Sequence, residues 1–91
     1  MPIKHTEENI RSRLEQKMDI LRAIEEGSTK PTNIMYSAKI SWISMLERMN
    51  ELLEKGLVEK NPGINERSRF LYSITTKGKF VLEQYLALKS I

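Results

Sequence analysis

The hydrophobic period of this chain first changes at Gly56. Before it, apolar residues recur at helical spacing; beyond it, Phe70-Leu71-Tyr72-Ser73-Ile74 alternates as a half-buried strand does. Side chains that share a face in one element lie on different faces in the other, so neither pattern can be read in both ways. Helices must therefore give way to strands partway along the chain, and the fold class expected is α+β, mainly α.

The helical part divides into three. Ile10, Leu14, Met18, Leu21 and Ile24 lie on one face, with Ile20 flanking, and Ser12 followed by Glu15 has the spacing of a capping box. Thr6 with two acids after it is an alternative start. Gly27 is the natural left-handed stop, which gives a helix over 12–26. Pro31 fits the first turn of a second helix over 31–38, where a missing N–H costs nothing. Ser41 then caps a third, over 41–55, whose expected core stripe is Trp42, Met45, Leu46, Met49, Leu52 and Leu53. Lys55-Gly56 closes it with a basic last residue and a glycine.

Leu57-Val58-Glu59-Lys60 and residues 70–74 read as two strands of a hairpin over 57–74, joined through the Asn61-Pro62-Gly63 turn signal. The connection is longer than the usual two to five residues, which favours a functional role for it. Thr75 or Thr76 caps a last helix over 76–90. Two helices separated by a short turn form a helix-turn-helix. With a third helix before them and a hairpin after, the order is that of a winged helix, here expected to fill residues 1–91 as a single domain.

Composition removes several alternatives. The chain has 91 residues and no cysteine, so disulfide scaffolds, thiolate metal sites and thiol chemistry are excluded. Its apolar runs are far shorter than the ~18 residues a membrane span needs, and Met-Pro-Ile-Lys-His-Thr-Glu-Glu has no apolar stretch of the kind that makes a signal peptide. A cytoplasmic protein is the expectation. His5 is the sole histidine, no glycine-rich phosphate loop exists, and the carboxylates read as solvated faces. No enzyme activity, cofactor or metal is expected.

Several segments resemble one family when taken together: Arg-Ser-Arg-Leu-Glu (11–15), Asp-Ile-Leu-Arg-Ala-Ile (19–24), Lys-Pro-Thr-Asn-Ile-Met-Tyr (30–36), Leu-Leu-Glu-Lys-Gly-Leu-Val (52–58) and Tyr-Ser-Ile-Thr-Thr-Lys-Gly (72–78). They are similar to the archaeal winged helix-turn-helix group of small transcriptional regulators, related to dimeric chromatin-associated proteins with a C-terminal coiled coil. The resemblance implies DNA binding, homodimers and no cofactor. The run Ser41-Trp42-Ile43-Ser44-Met45-Leu46-Glu47-Arg48 keeps the aromatic residue usual in that family and lacks most of its basic side chains.

Candidate contacts follow from the arrangement. The second helix of such a pair places its N-terminal residues at base edges in the major groove, which nominates Ser41, Trp42, Ile43, Ser44 and Arg48. Arg48 can pair with guanine, Ser44 with several bases, and Ile43 can touch a thymine methyl. Trp42 equally continues the core stripe, and that is the reading its spacing favours. Thr29, Lys30, Thr32 and Asn33 before and within the second helix, with Lys39 in the turn, are candidate phosphate contacts; Thr29 and Thr32 can equally serve as caps. The net charge is +3, and the surplus lies in the last part of the chain. Lys60, Asn65, Arg67 and Arg69 make the wing a candidate backbone or minor-groove contact. Phe80, Gln84, Ala87 and Ile91 recur on one face of the last helix and are expected to form a dimer seam, while Val81, Leu82 and Tyr85 pack on the domain.

The function expected is a homodimeric regulator that binds double-stranded DNA. Its alternative is a winged helix that docks on another protein through the Trp42–Leu46 surface. Ile43 and Glu47 favour the alternative, and the basic hairpin favours DNA.

Overall fold

The structure is a computed structural model that describes residues 11–63 and 70–91. Helices α1 (Arg13–Glu25), α2 (Pro31–Ala38) and α3 (Trp42–Glu54) are followed by the antiparallel strands β1 (Val58–Pro62) and β2 (Phe70–Ile74), and then by helix α4 (Thr76–Lys89). This is the winged helix order. Ile10, Asn65, Arg67 and Arg69, each named above, lie outside the described residues.

Local chemistry sets each boundary. Ser12 accepts the Glu15 amide at 3.0 Å while the Glu15 carboxylate accepts the Ser12 amide at 3.0 Å, so the capping box forms at Ser12. The Ser12 backbone and side-chain hydrogen bonds hold the Glu15 carboxyl below its usual pKa. Gly27 and Gly56 end α1 and α3 with positive φ of 115° and 72°, where a side chain would be strained. Strand β1 runs on to Pro62, which pairs with Phe70. Proline has no N–H for the ladder and is tolerated in an edge position of this kind.

The core sits between α1, the two helices after it and the inner face of the hairpin. Ile20, Leu21, Ile34, Met45, Met49 and Leu52 are fully buried, and Val58, Tyr72 and Leu82 close it from the hairpin and α4. Burial pushes the Tyr72 hydroxyl up from its ordinary pKa. Two expectations change here. Ile20, expected on the flank, is wholly buried, and Leu14, expected in the stripe, is exposed. The buried face of α1 is Met18, Ile20, Leu21, Ala23 and Ile24.

Segments 52–58 and 72–78, both quoted for the family resemblance, meet at the junction between α3 and α4. Thr75 donates its amide to the Leu57 carbonyl at 3.1 Å and its hydroxyl to the Gly56 carbonyl at 2.7 Å; that hydroxyl also accepts the Gly78 amide at 2.9 Å. Lys77 Nζ donates to the Lys55 carbonyl at 2.9 Å. The carbonyls that end one helix are thus satisfied by residues that begin the other. Gly78 allows the approach, because a Cβ there would stand 2.2 Å from the Leu57 carbonyl oxygen.

Candidate nucleic-acid interface

The turn between α2 and α3 is held from outside the pair. Lys39 adopts the left-handed conformation (φ 55°, ψ 53°), unusual for a residue with a side chain, and its amide returns to the Met35 and Tyr36 carbonyls. Arg11 fixes it. Its guanidinium donates to the Ala38 carbonyl at 2.8 Å and to the Lys39 carbonyl, and pairs with Asp19 at 2.5 Å. A cation on the last carbonyls of a helix complements its dipole as well as its hydrogen bonds. Sequence reading missed this role, because the partners lie 27 and 28 residues away.

Helix α2 presents its polar side to solvent. Thr32, Asn33 and Lys39 are exposed, as is Tyr36 at 70%; the spacing puts Thr32, Asn33 and Tyr36 on one face. Lys30 is the N-cap residue and carries no capping hydrogen bond, with Pro31 after it. Neither Thr29 nor Thr32 serves as the side-chain cap weighed above. Thr29 instead gives its carbonyl to the Tyr72 amide at 2.9 Å, which ties the segment before α2 to the hairpin. Among the described residues no side chain caps the first-turn amides of α2, which is the arrangement that accepts an anion. Tyr36 was absent from the candidate contacts, although its i+3 and i+4 relation to Asn33 and Thr32 was legible.

Helix α3 departs most from expectation. Arg48 is 7% exposed. Its Nε lies 2.8 Å from Glu51 Oε1, one Nη is 3.4 Å from Glu47 Oε1, and the other donates to Gln16 Oε1 at 3.3 Å. The Nε–Oε1 contact is a close ion pair whose N–H points off the acceptor, so neither atom is hydrogen-bonded. Lys17 adds a second cation 3.8 Å from the same Glu51 oxygen. A guanidinium held inward against α1 does not reach a base edge, and the role of guanine reader expected for Arg48 is withdrawn. Trp42 moves the opposite way: it is 44% exposed rather than core, because the buried stripe is Met45, Arg48, Met49 and Leu52. Ile43 is 69% exposed, and Leu46 is exposed beside it at i+3. Ser41 is the N-cap, accepting the Ser44 amide at 3.2 Å, and Ser44 is half-buried. Asn50, exposed one turn beyond Leu46, completes that face and was not named from the sequence.

In the hairpin, Lys60 is exposed and stands 4.2 Å from the centre of the Phe70 ring, a cation–π contact that steadies the side chain. On α4, Leu82 is buried and Val81, Tyr85 and Leu86 pack on the core. Phe80, Gln84, Ala87 and Ile91 are exposed, and Leu88, not among the seam residues expected, is exposed with them. Among the described residues, no helix is long and apolar enough to cross a membrane, and no three His, Asp or Glu side chains are gathered as a metal would need.

Comparison with known proteins agrees with this architecture. The sequence profile described as winged helix-turn-helix matches residues 10–91. The protein MJ0290 of Methanocaldococcus jannaschii is 30% identical over 66 residues, which are 72% of this chain and 28% of that protein. Among solved structures, Sso10a-2, a DNA-binding protein from Sulfolobus solfataricus, superposes with a TM-score of 0.70 at 25% identity, over 88% of this chain and 83% of that one. ZitR of Lactococcus lactis superposes with a TM-score of 0.71 at 22% identity, over 79% of this chain and 49% of that one. The chain thus spans under a third of the Methanocaldococcus relative and about half of ZitR.

Proposed function

Because this chain belongs to the winged helix-turn-helix family, we propose that it regulates transcription by binding duplex DNA as a homodimer. In this reading α3 enters the major groove and the hairpin lies along the backbone. Its fold is that of the winged helix-turn-helix family, shared with the DNA-binding protein Sso10a-2. The observation that carries the reading is the α2–α3 pair itself. A first turn without a cap, exposed Thr32, Asn33, Tyr36 and Lys39, and a turn fixed by Arg11 support phosphate contact by one helix end and base contact by the next helix. Lys30 and Lys60 add charge on either side in sequence, with Asn65, Arg67 and Arg69 in the connection between the strands. Sso10a-2, which is described as binding DNA, supports the same assignment and an archaeal branch of the family. A dimer formed by α4 would set two copies of α3 about 34–36 Å apart, one turn of DNA. Cytoplasmic, nucleoid-associated action follows from this reading.

Titration against random-sequence duplex DNA across a salt series tests it. The expected slope of log K against log salt is about −3 to −4 per protomer, as three or four phosphates are neutralised. Changing Arg67 and Arg69 together to Ala should make it shallower by about 2. Absence of binding at low salt would overturn the reading. The exposed apolar residues of α3 favour a second one, docking on a protein, which predicts no change in DNA affinity in that double variant.

A further inference from the structure

We infer that α3 recognises A·T-rich DNA by apolar contact with thymine methyl groups, with Ile43 and Leu46 as the specificity-determining residues and Trp42 beside them. The inference rests on the DNA-binding reading above and names the chemistry of its specificity.

The observations narrow the choices for readout. Specific recognition in the major groove normally uses arginine on guanine or an amide on adenine. Over its first two turns α3 offers no such group to solvent. Arg48, the only basic side chain there, is buried against Glu51 and Gln16. Glu47 is exposed and lies 3.4 Å from Arg48, and its charge opposes approach to phosphate. What the helix does expose is Trp42, Ile43 and Leu46, neighbours at i+3 and i+4. The feature of the major groove that rewards an apolar side chain is the C5-methyl of thymine. Asn50 continues this face, and its amide suits the adenine of the same pair.

Exposed lysines support DNA over a protein as the occupant of this face. Lys39 lies two residues before the cap Ser41, and Lys30 and Lys60 lie on the elements before and after α3 in sequence, all exposed. Cations on the elements that precede and follow a short apolar face suit a groove walled by phosphates.

The test compares an alternating A·T duplex with the same duplex carrying uracil in place of thymine, which removes only the methyl groups. Each buried methyl group is worth about a fourfold factor in affinity, so two contacts predict roughly tenfold or more weaker binding to the uracil duplex. In Ile43→Ser the thymine preference should shrink to about fourfold, and Leu46→Ala should shrink it similarly. Both positions are exposed, and an unchanged melting temperature would verify that the variants fold. Equal affinity of the native chain for the two duplexes overturns methyl recognition while the DNA-binding reading stands. A thymine preference that survives unchanged in both variants overturns the assignment to these residues. Failure to bind either duplex at low salt overturns both readings together and turns the α3 face over to a protein partner.

Discussion

Arg48 stands on the helix where a base reader would stand, and the structure uses it to hold that helix to α1. Its guanidinium faces Glu51, Glu47 and the Gln16 amide, with Lys17 sharing Glu51. A buried pair of this kind adds little net stability when intact, but removing one partner strands the other. Glu51 keeps about a third of its exposure and can recover some hydration. Arg48→Ala should therefore cost about 2 kcal/mol, below the ~3–5 kcal/mol of a fully buried pair, or roughly 10 °C in melting temperature. Arg48→Met, which keeps most of the packing, should cost less. Thermal unfolding of both variants checks this, and the slope of DNA affinity with salt should be unchanged in either. An Arg48 that contacted DNA would instead lower that slope by about 1.

At the scale of elements, the junction of α3 with α4 is where the packing is least forgiving. In an ordinary helix, replacing glycine by alanine gains ~1 kcal/mol. At Gly78 the added Cβ would meet a backbone oxygen at 2.2 Å and the Ile74 side chain at 2.8 Å, and backbone cannot swing aside as a side-chain end can. Gly78→Ala should therefore destabilise by about 1–3 kcal/mol, with the sign opposite to propensity. Denaturant unfolding measures it, and a stabilised variant would refute the close approach. The staple of Thr75 and Lys77 on the carbonyls of Lys55, Gly56 and Leu57 depends on the same closeness. The two glycine-containing segments, 52–58 and 72–78, were legible in the sequence through the family resemblance. The reason they meet was not, because no sequence rule states which carbonyl a distant threonine meets.

Over the whole molecule, α4 carries apolar surface that the described residues do not bury. Phe80 is 60% exposed, and Leu88 and Ile91 are exposed with Gln84 and Ala87 between them. A two-fold seam along this face would bury each residue twice, since a symmetric interface uses the same patch on both protomers. Losing an apolar aromatic contact costs ~1.5–3 kcal/mol, so Phe80→Asp should weaken the dimer at least about a hundredfold once both copies are counted. Analytical ultracentrifugation of the native chain and the variant reads this directly. A native chain that stays monomeric at high concentration would remove the seam, and a shift in the variant's melting temperature at low concentration would place Phe80 in the protomer's own packing.

Much of this protein was determined within a turn or two of chain. The Ser12–Glu15 box, the glycines after α1 and α3, the proline opening α2 and the change of period at Gly56 act between near neighbours, so the order of elements could be read directly. The direction in which side chains turn was decided elsewhere. Trp42 and Leu46 fit the apolar period of α3 as well as Met45 and Met49 do, yet they face solvent. The rotation of α3 is set by what α1 presents to it, including a Gln16 that lies 32 residues from its partner Arg48. Arg11 fixes the α2–α3 turn across a similar distance. Periodicity reports that a helix has a buried stripe, and only the packing of one helix on another chooses which of two adjacent stripes it is.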